Sequence, residues 1–142
     1  MEDAINETLD HILFIARRFS KEDLPSVILL ILLELHIPTM GEGSYYLRKA
    51  IELNCRNPSM VHMKSLYQLI APGINYSTME QAIRGAIRTG YRTGSMEKWN
   101  IYFQEEDNIK AHGPSNAQFI TKIARILELW QNCSEEVSHE RI

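Results

Sequence analysis

Apolar positions along this chain recur at intervals of three and four and nowhere alternate over the length of a strand, so the pattern predicts helices joined by short polar turns. Over residues 4–18, Ile5, Leu9, Ile12, Leu13 and Ala16 fall on one face, with Glu7, Asp10, Arg17 and Arg18 elsewhere. A break at Ser20 to Asp23 precedes a second helix that Ser20 or Asp23 caps, that tolerates Pro25 in its first turn, and that ends before Pro38. A third is expected from Ser44, with Leu47, Ala50 and Ile51 inward, to the region of Arg56 to Pro58.

A fourth helix, Met60 to Ala71, carries Val61, Leu66 and Ile70 and stops at Pro72-Gly73. Ser77-Thr78-Met79-Glu80 fits a capping box for a fifth helix running to Thr93, where Gly94 suits a left-handed closing position. Ser95 starts a short sixth helix holding Trp99, Ile101 and Phe103. Beyond the polar stretch Gln104 to Gly113, Ser115 and Gln118 form a capping pair for a last helix with Ile120, Ile123, Leu127 and Trp130 on one side. The expectation is an all-α bundle of six to seven helices. Residues 1–24 form an amphipathic helix and linker, 25–132 the main domain, and 133–142 a polar tail. The fourth and fifth helices, with about six residues between them, have the layout of a helix-turn-helix.

The length of 142 residues suits one domain with one core, and 44% hydrophobic against 23% charged residues is an ordinary globular balance. Only Cys55 and Cys133 occur, so neither a zinc cluster nor a disulfide framework is implied and reduced, cytoplasmic thiols are expected. The longest apolar run, Val27 to Leu33, is far shorter than the roughly 18 residues a membrane span requires. His11, His36, His62, His112 and His139 lie apart with no i, i+4 partner, and no phosphate-binding or nucleophile motif occurs. No catalytic residue, cofactor, metal or small-molecule substrate is therefore expected.

A net charge of −3 speaks against a nucleic-acid partner until it is divided by region. Residues 37–100 hold eight Lys/Arg against four Asp/Glu, between acidic flanks. Within that middle, Arg84, Arg88 and Arg92 recur every four residues and line one helix face.

Particular residues then resemble a family. They are Ile37-Pro38, Gly43 and Tyr46-Leu47-Arg48-Lys49-Ala50-Ile51; Leu66-Tyr67 with Ile70-Ala71; Glu80 with Ala82-Ile83-Arg84 and Ala86-Ile87; Gly94; and Pro114-Ser115-Asn116 with Phe119-Ile120 and Ile123-Ala124. Together they are similar, in family order, to the C-terminal DNA-binding effector domain of the stage zero sporulation response regulator of spore-forming Firmicutes. The resemblance spans residues 25–130 and implies an all-helical cytoplasmic transcription regulator that binds duplex DNA, with 77–92 as recognition helix. By position it implies DNA contacts from Arg84 and Glu80. The reading adds Gln81 as a base reader, Ser77 and Thr78 at the helix start, and Arg88, Arg92, Lys49 and Lys64 toward phosphates.

The chain departs from the family pattern where arginines are replaced by Thr78 and Gln81, a histidine by Gly85 and a lysine by Glu42. The expected consequences are an altered base preference and a flatter salt dependence. Gly85 and Gly90 are each expected to weaken the helix by about 1 kcal/mol relative to alanine. Residues 1–24 are too few for a receiver domain, so phosphorylation of this chain is not the expected control. Leu29, Leu30 and Leu33 add apolar surface to the second helix, which the first helix is expected to cover within the chain or across a homodimer. A second reading follows from that surface: a protein-interaction module that binds a partner or itself through its N-terminal helices.

Overall fold

The structure, a computed structural model, describes residues 2–60 and 62–133, so the expected tail beyond Cys133, with His139, and Val61 lie outside the described residues. Among the described residues seven α-helices follow one another: α1 (Glu2–Ile15), α2 (Leu24–Glu34), α3 (Glu42–Arg56), α4 (Met63–Ile70), α5 (Tyr76–Thr93), α6 (Met96–Tyr102) and α7 (Asn116–Asn132), with a single 3-10 turn over Glu105–Asp107. No strand occurs among the described residues.

Local chemistry sets most of the boundaries. The Asp23 carboxylate accepts from the Ser26 N–H and starts α2, with Pro25 in the first turn. That helix closes with His36 in the left-handed region (φ 59°), the Ile37 N–H reaching back to the Leu32 carbonyl and the His36 N–H to Leu33. The bounds of α1, α3 and α4 differ from expectation. α1 ends at Ile15 rather than 18 because the chain tightens there: the Phe19 N–H bonds to the Ala16 carbonyl, and the Arg17 guanidinium donates to the Phe14 carbonyl at 2.7 Å. α3 begins two residues before Ser44, whose buried hydroxyl donates to the Pro38 carbonyl and ties the α2–α3 connection to the helix. α4 is shorter than expected, Met63 to Ile70, and starts at His62 without a side-chain cap.

α3 is the central element, packing against α2, α4, α5 and α7, while α5 also meets α4 and α7. Leu47, Ala50 and Ile51 of α3 join Ile83 and Ile87 of α5 and Phe119, Ile120, Ile123 and Leu127 of α7 in one buried cluster. Aromatic rings close one end of it. Trp99 and Phe103 stack at 5.8 Å, Phe103 and Phe119 at 5.5 Å, and the Trp99 N–H donates to the Gly90 carbonyl at 3.2 Å. Gly94 follows α5 with extended rather than left-handed backbone (φ −83°, ψ 175°). Space, not handedness, calls for glycine there, because a Cβ would lie 2.7 Å from the Gly90 carbonyl oxygen and 2.9 Å from the Trp99 ring nitrogen.

Within the chain the first helix leaves Leu33 exposed, while Leu29 and Leu30 are half-buried. It packs on α7 and α6, sending Ile12 and the following Ala16 into the common core, and Leu33 stays 53% exposed. α1 meets α2 through a polar contact instead: His11 pairs with Glu34 at 2.6 Å, and Glu34 also accepts from the Tyr102 hydroxyl at 2.5 Å. Burial and the Glu34 carboxylate both push the Tyr102 phenol well above its ordinary pKa, so it stays a donor at every working pH. A second polar tie holds α1 to α6. The fully buried Thr8 hydroxyl donates to the Ile101 carbonyl and accepts from the Gln104 amide. Thr8→Val keeps the shape and removes the hydroxyl, so it is expected to lower stability by about 1–2 kcal/mol, read as a lower urea midpoint at unchanged slope.

Candidate nucleic-acid interface

α4, a turn over residues 71–75 and α5 form a helix-turn-helix arrangement. α5 is started by Asn75, not by the expected Ser77–Glu80 box: the Asn75 side-chain oxygen accepts from the Thr78 N–H at 2.8 Å, and Ser77 lies inside the first turn. Both Asn75 and Ser77 are capping types, and tertiary contacts decide between them by drawing Glu80 away.

Glu80 turns inward. Its carboxylate accepts from the Tyr67 hydroxyl of α4 at 2.5 Å, the Asn116 amide of α7 at 2.7 Å and the Tyr76 hydroxyl at 3.0 Å. The same Asn116 amide donates to the Glu80 carbonyl at 2.8 Å. Burial raises the Glu80 pKa as the largest single influence, but the donors Tyr67, Asn116 and Tyr76, with Arg84 nearby, together outweigh it and hold the carboxyl below its ordinary value. Tyr67, 2% exposed, is pushed far above the usual phenol value by burial and by Glu80. Donors from α4, α5 and α7 thus take three of the roughly four acceptor positions of the carboxylate, which gives Glu80 a positioning role joining these helices. Tyr67, Tyr76 and Asn116 were not among the expected site residues, although Tyr67 and Asn116 fall in the family-like stretches Leu66-Tyr67 and Pro114-Ser115-Asn116.

The rest of α5 divides cleanly. Met79, Ile83, Ala86, Ile87 and Gly90 face the core. On the opposite side Ser77, Thr78, Gln81, Arg84, Gly85, Arg88 and Arg92 are all exposed. At 100° per residue these seven fall within about 120° of arc, one outward face on one rigid element. Arg84 reaches back to Glu80 at only 3.9 Å with its side chain 47% exposed, a weak tie that leaves it available. Lys64, in the first turn of α4, is exposed as well.

Lys49 belongs elsewhere. Gly43 is the α3 residue set against the Ala82 backbone of α5, and six residues further on Lys49 is turned about 120° round the helix. It lines a groove with Pro25 and Ile28 of α2 and with Tyr45, Arg48 and Glu52, where it lies 5.9 Å from the Tyr45 ring and 3.9 Å from Glu52. The structure therefore does not bring Lys49 to the α5 face. Among the described residues no three His, Cys, Asp or Glu side chains gather as a metal ion would require, and no helix is long and apolar enough to cross a membrane.

An all-helical core presenting a short helix, a turn and a longer helix with an arginine-bearing outer face is the architecture of a helical DNA-binding domain. The chain belongs to the family described as sporulation initiation factor Spo0A C terminal, whose model matches residues 28–127. The match runs from inside α2 into α7, so it contains the central helices and all of α4, α5 and α6, and α1 lies before it. No solved structure matches the chain.

Proposed function

We propose that this protein is a transcriptional regulator of the bacterial cytoplasm that binds double-stranded DNA, with α5 as its recognition helix in the major groove. The observation that carries the reading is the outward face of α5. Its exposed side chains are hydroxyl, amide and guanidinium groups, and the single carboxylate on the helix itself, Glu80, is engaged by Tyr67 and Asn116 from within. Gln81 and Arg84 are the base readers, through adenine and guanine edges. Ser77 and Thr78 sit at the helix start beside a phosphate, and Arg88, Arg92 and Lys64 contact the backbone. Lys49 and Glu80 are outside this set.

Binding to random-sequence duplex at low and moderate salt tests the reading. Wild type is expected to bind at low salt and to weaken steeply as salt rises. Arg84→Ala is expected to lose about tenfold or more on a selected sequence. Salt-insensitive binding, or indifference to Arg84→Ala, would count against DNA as the partner. The second reading, a module that binds a protein or a second copy of itself, draws on Phe14 and Leu33, exposed by 63% and 53% on α1 and α2. It requires self-association in sedimentation together with failure to bind duplex.

A further inference from the structure

Beside the C-terminal half of α5 lies an open cleft of about 450 Å³ lined by Arg88, Tyr91, Arg92, Ala111 and His112. No carboxylate lines it. Arg48, Arg56, Arg84 and Arg125 each have a carbonyl or carboxylate partner, whereas no such partner engages Arg88, Arg92 or His112 among the described residues. Two arginines and a histidine thus border one opening without a hydrogen-bond partner among the described residues, and their guanidinium and imidazole groups are the donor types an oxyanion requires.

The far wall of the cleft is a built turn. The Gly113 N–H donates to the Lys110 carbonyl at 2.9 Å, and Gly113 takes a left-handed conformation (φ 103°). Its Cα rests on the Tyr91 ring so closely that a Cβ would come within 2.9 Å of it. The turn is clamped to α5 at the residue next to His112, so His112 borders the cleft from a supported turn rather than from a free loop. Exposed Lys110 adds a further positive charge to the same turn.

Position along α5 identifies the anion. Arg88 and Arg92 lie one and two turns beyond Arg84, about 6 and 12 Å along the axis. The major groove is about 12 Å wide. When the N-terminal half of α5 reaches base edges, Arg92 and the turn beside it arrive at the groove wall, where the phosphates are. We infer that the cleft between α5 and the Lys110–Gly113 turn seats a phosphate of the DNA backbone, held by Arg88, Arg92 and His112, making this turn a second DNA-contacting element. The inference rests on α5 being the recognition helix.

Duplex binding across a salt series, with wild type, Arg84→Ala, Arg92→Gln and His112→Glu side by side, tests it. Arg92 and His112 are exposed and unengaged, so both variants are expected to melt with wild type. Arg92→Gln is expected to lower the slope of log affinity against log salt by about one, and His112→Glu to weaken low-salt binding about tenfold by placing a carboxylate in the cleft. If wild type shows no salt-sensitive binding, the recognition-helix reading falls and the cleft with it. If wild type and Arg84→Ala behave as described but both cleft variants match wild type, the cleft alone is overturned. Saturable perturbation of the His112 ring by inorganic phosphate at constant ionic strength, with duplex binding indifferent to both substitutions, overturns it in favour of a small phosphorylated ligand.

Discussion

Glu80→Ala is expected to lower stability by about 3 kcal/mol and the melting temperature by about 10 °C, although Glu80 stands on the helix proposed to read DNA. The substitution leaves the Tyr67 hydroxyl and the Asn116 amide, both on buried residues, without their acceptor, at about 1–3 kcal/mol for each unsatisfied donor. Asn116 keeps its second bond, to the Glu80 carbonyl, and this moderates the loss. Glu80→Gln retains one acceptor oxygen and is expected to fall between alanine and wild type. Any accompanying loss of DNA affinity should track the melting temperature, because Glu80 positions α5 against α4 and α7. A loss of DNA affinity at unchanged melting temperature would instead make Glu80 a base reader.

The same carboxylate gives stability a dependence on pH. Its folded-state pKa lies below the ordinary carboxylate value, so the unfolded chain takes up the proton first as pH falls. The contribution of Glu80 is fully present above the ordinary value near 4.5 and disappears as pH falls through the lower folded value. Urea midpoints measured from pH 6 downward should therefore decline less steeply in Glu80→Gln than in wild type. A parallel decline would show that the carboxylate is not engaged.

Seven helices were legible because each buries a face whose period shows in the chain, and the caps at Asp23, Ser95 and Ser115 were legible because only local atoms make them. Where two local solutions compete, the pattern is silent. Ser77 and Asn75 both suit the start of α5, and the choice is made by Tyr67 and Asn116, 13 and 36 residues from Glu80 in the chain. The outward arginine face of α5 followed from i, i+4 spacing alone. The placement of Lys49 did not, since it depends on α2 lying along α3, nor did the seat of His112, since it depends on Gly113 lying on the Tyr91 ring.

Gly85 and Gly90 carry the same expected penalty as interior helical glycines, yet their replacement by alanine is expected to move stability in opposite directions. A Cβ at Gly85 would meet nothing within 4 Å, so Gly85→Ala should stabilise the protein by about 1 kcal/mol through helix propensity alone. A Cβ at Gly90 would lie 2.5 Å from the Ile37 side chain, 2.8 Å from the Leu35 carbonyl oxygen and 3.1 Å from the Ile37 N. Two of those neighbours are backbone atoms of the segment that closes α2, already committed to the turn at His36, so they cannot yield as a flexible side chain would. The Gly90 carbonyl also receives the Trp99 N–H, and pushing α5 outward would break that bond as well. Gly90→Ala is therefore expected to cost about 3 kcal/mol, more than overcoming its propensity gain. Equilibrium unfolding of the two variants under one set of conditions should separate them by about 4 kcal/mol, and equal midpoints would show that α5 does not lie against the end of α2 as described. Gly90 is thus a contact that sets how far α5 stands from the core, and through it how far Arg84, Arg88 and Arg92 project from the protein surface.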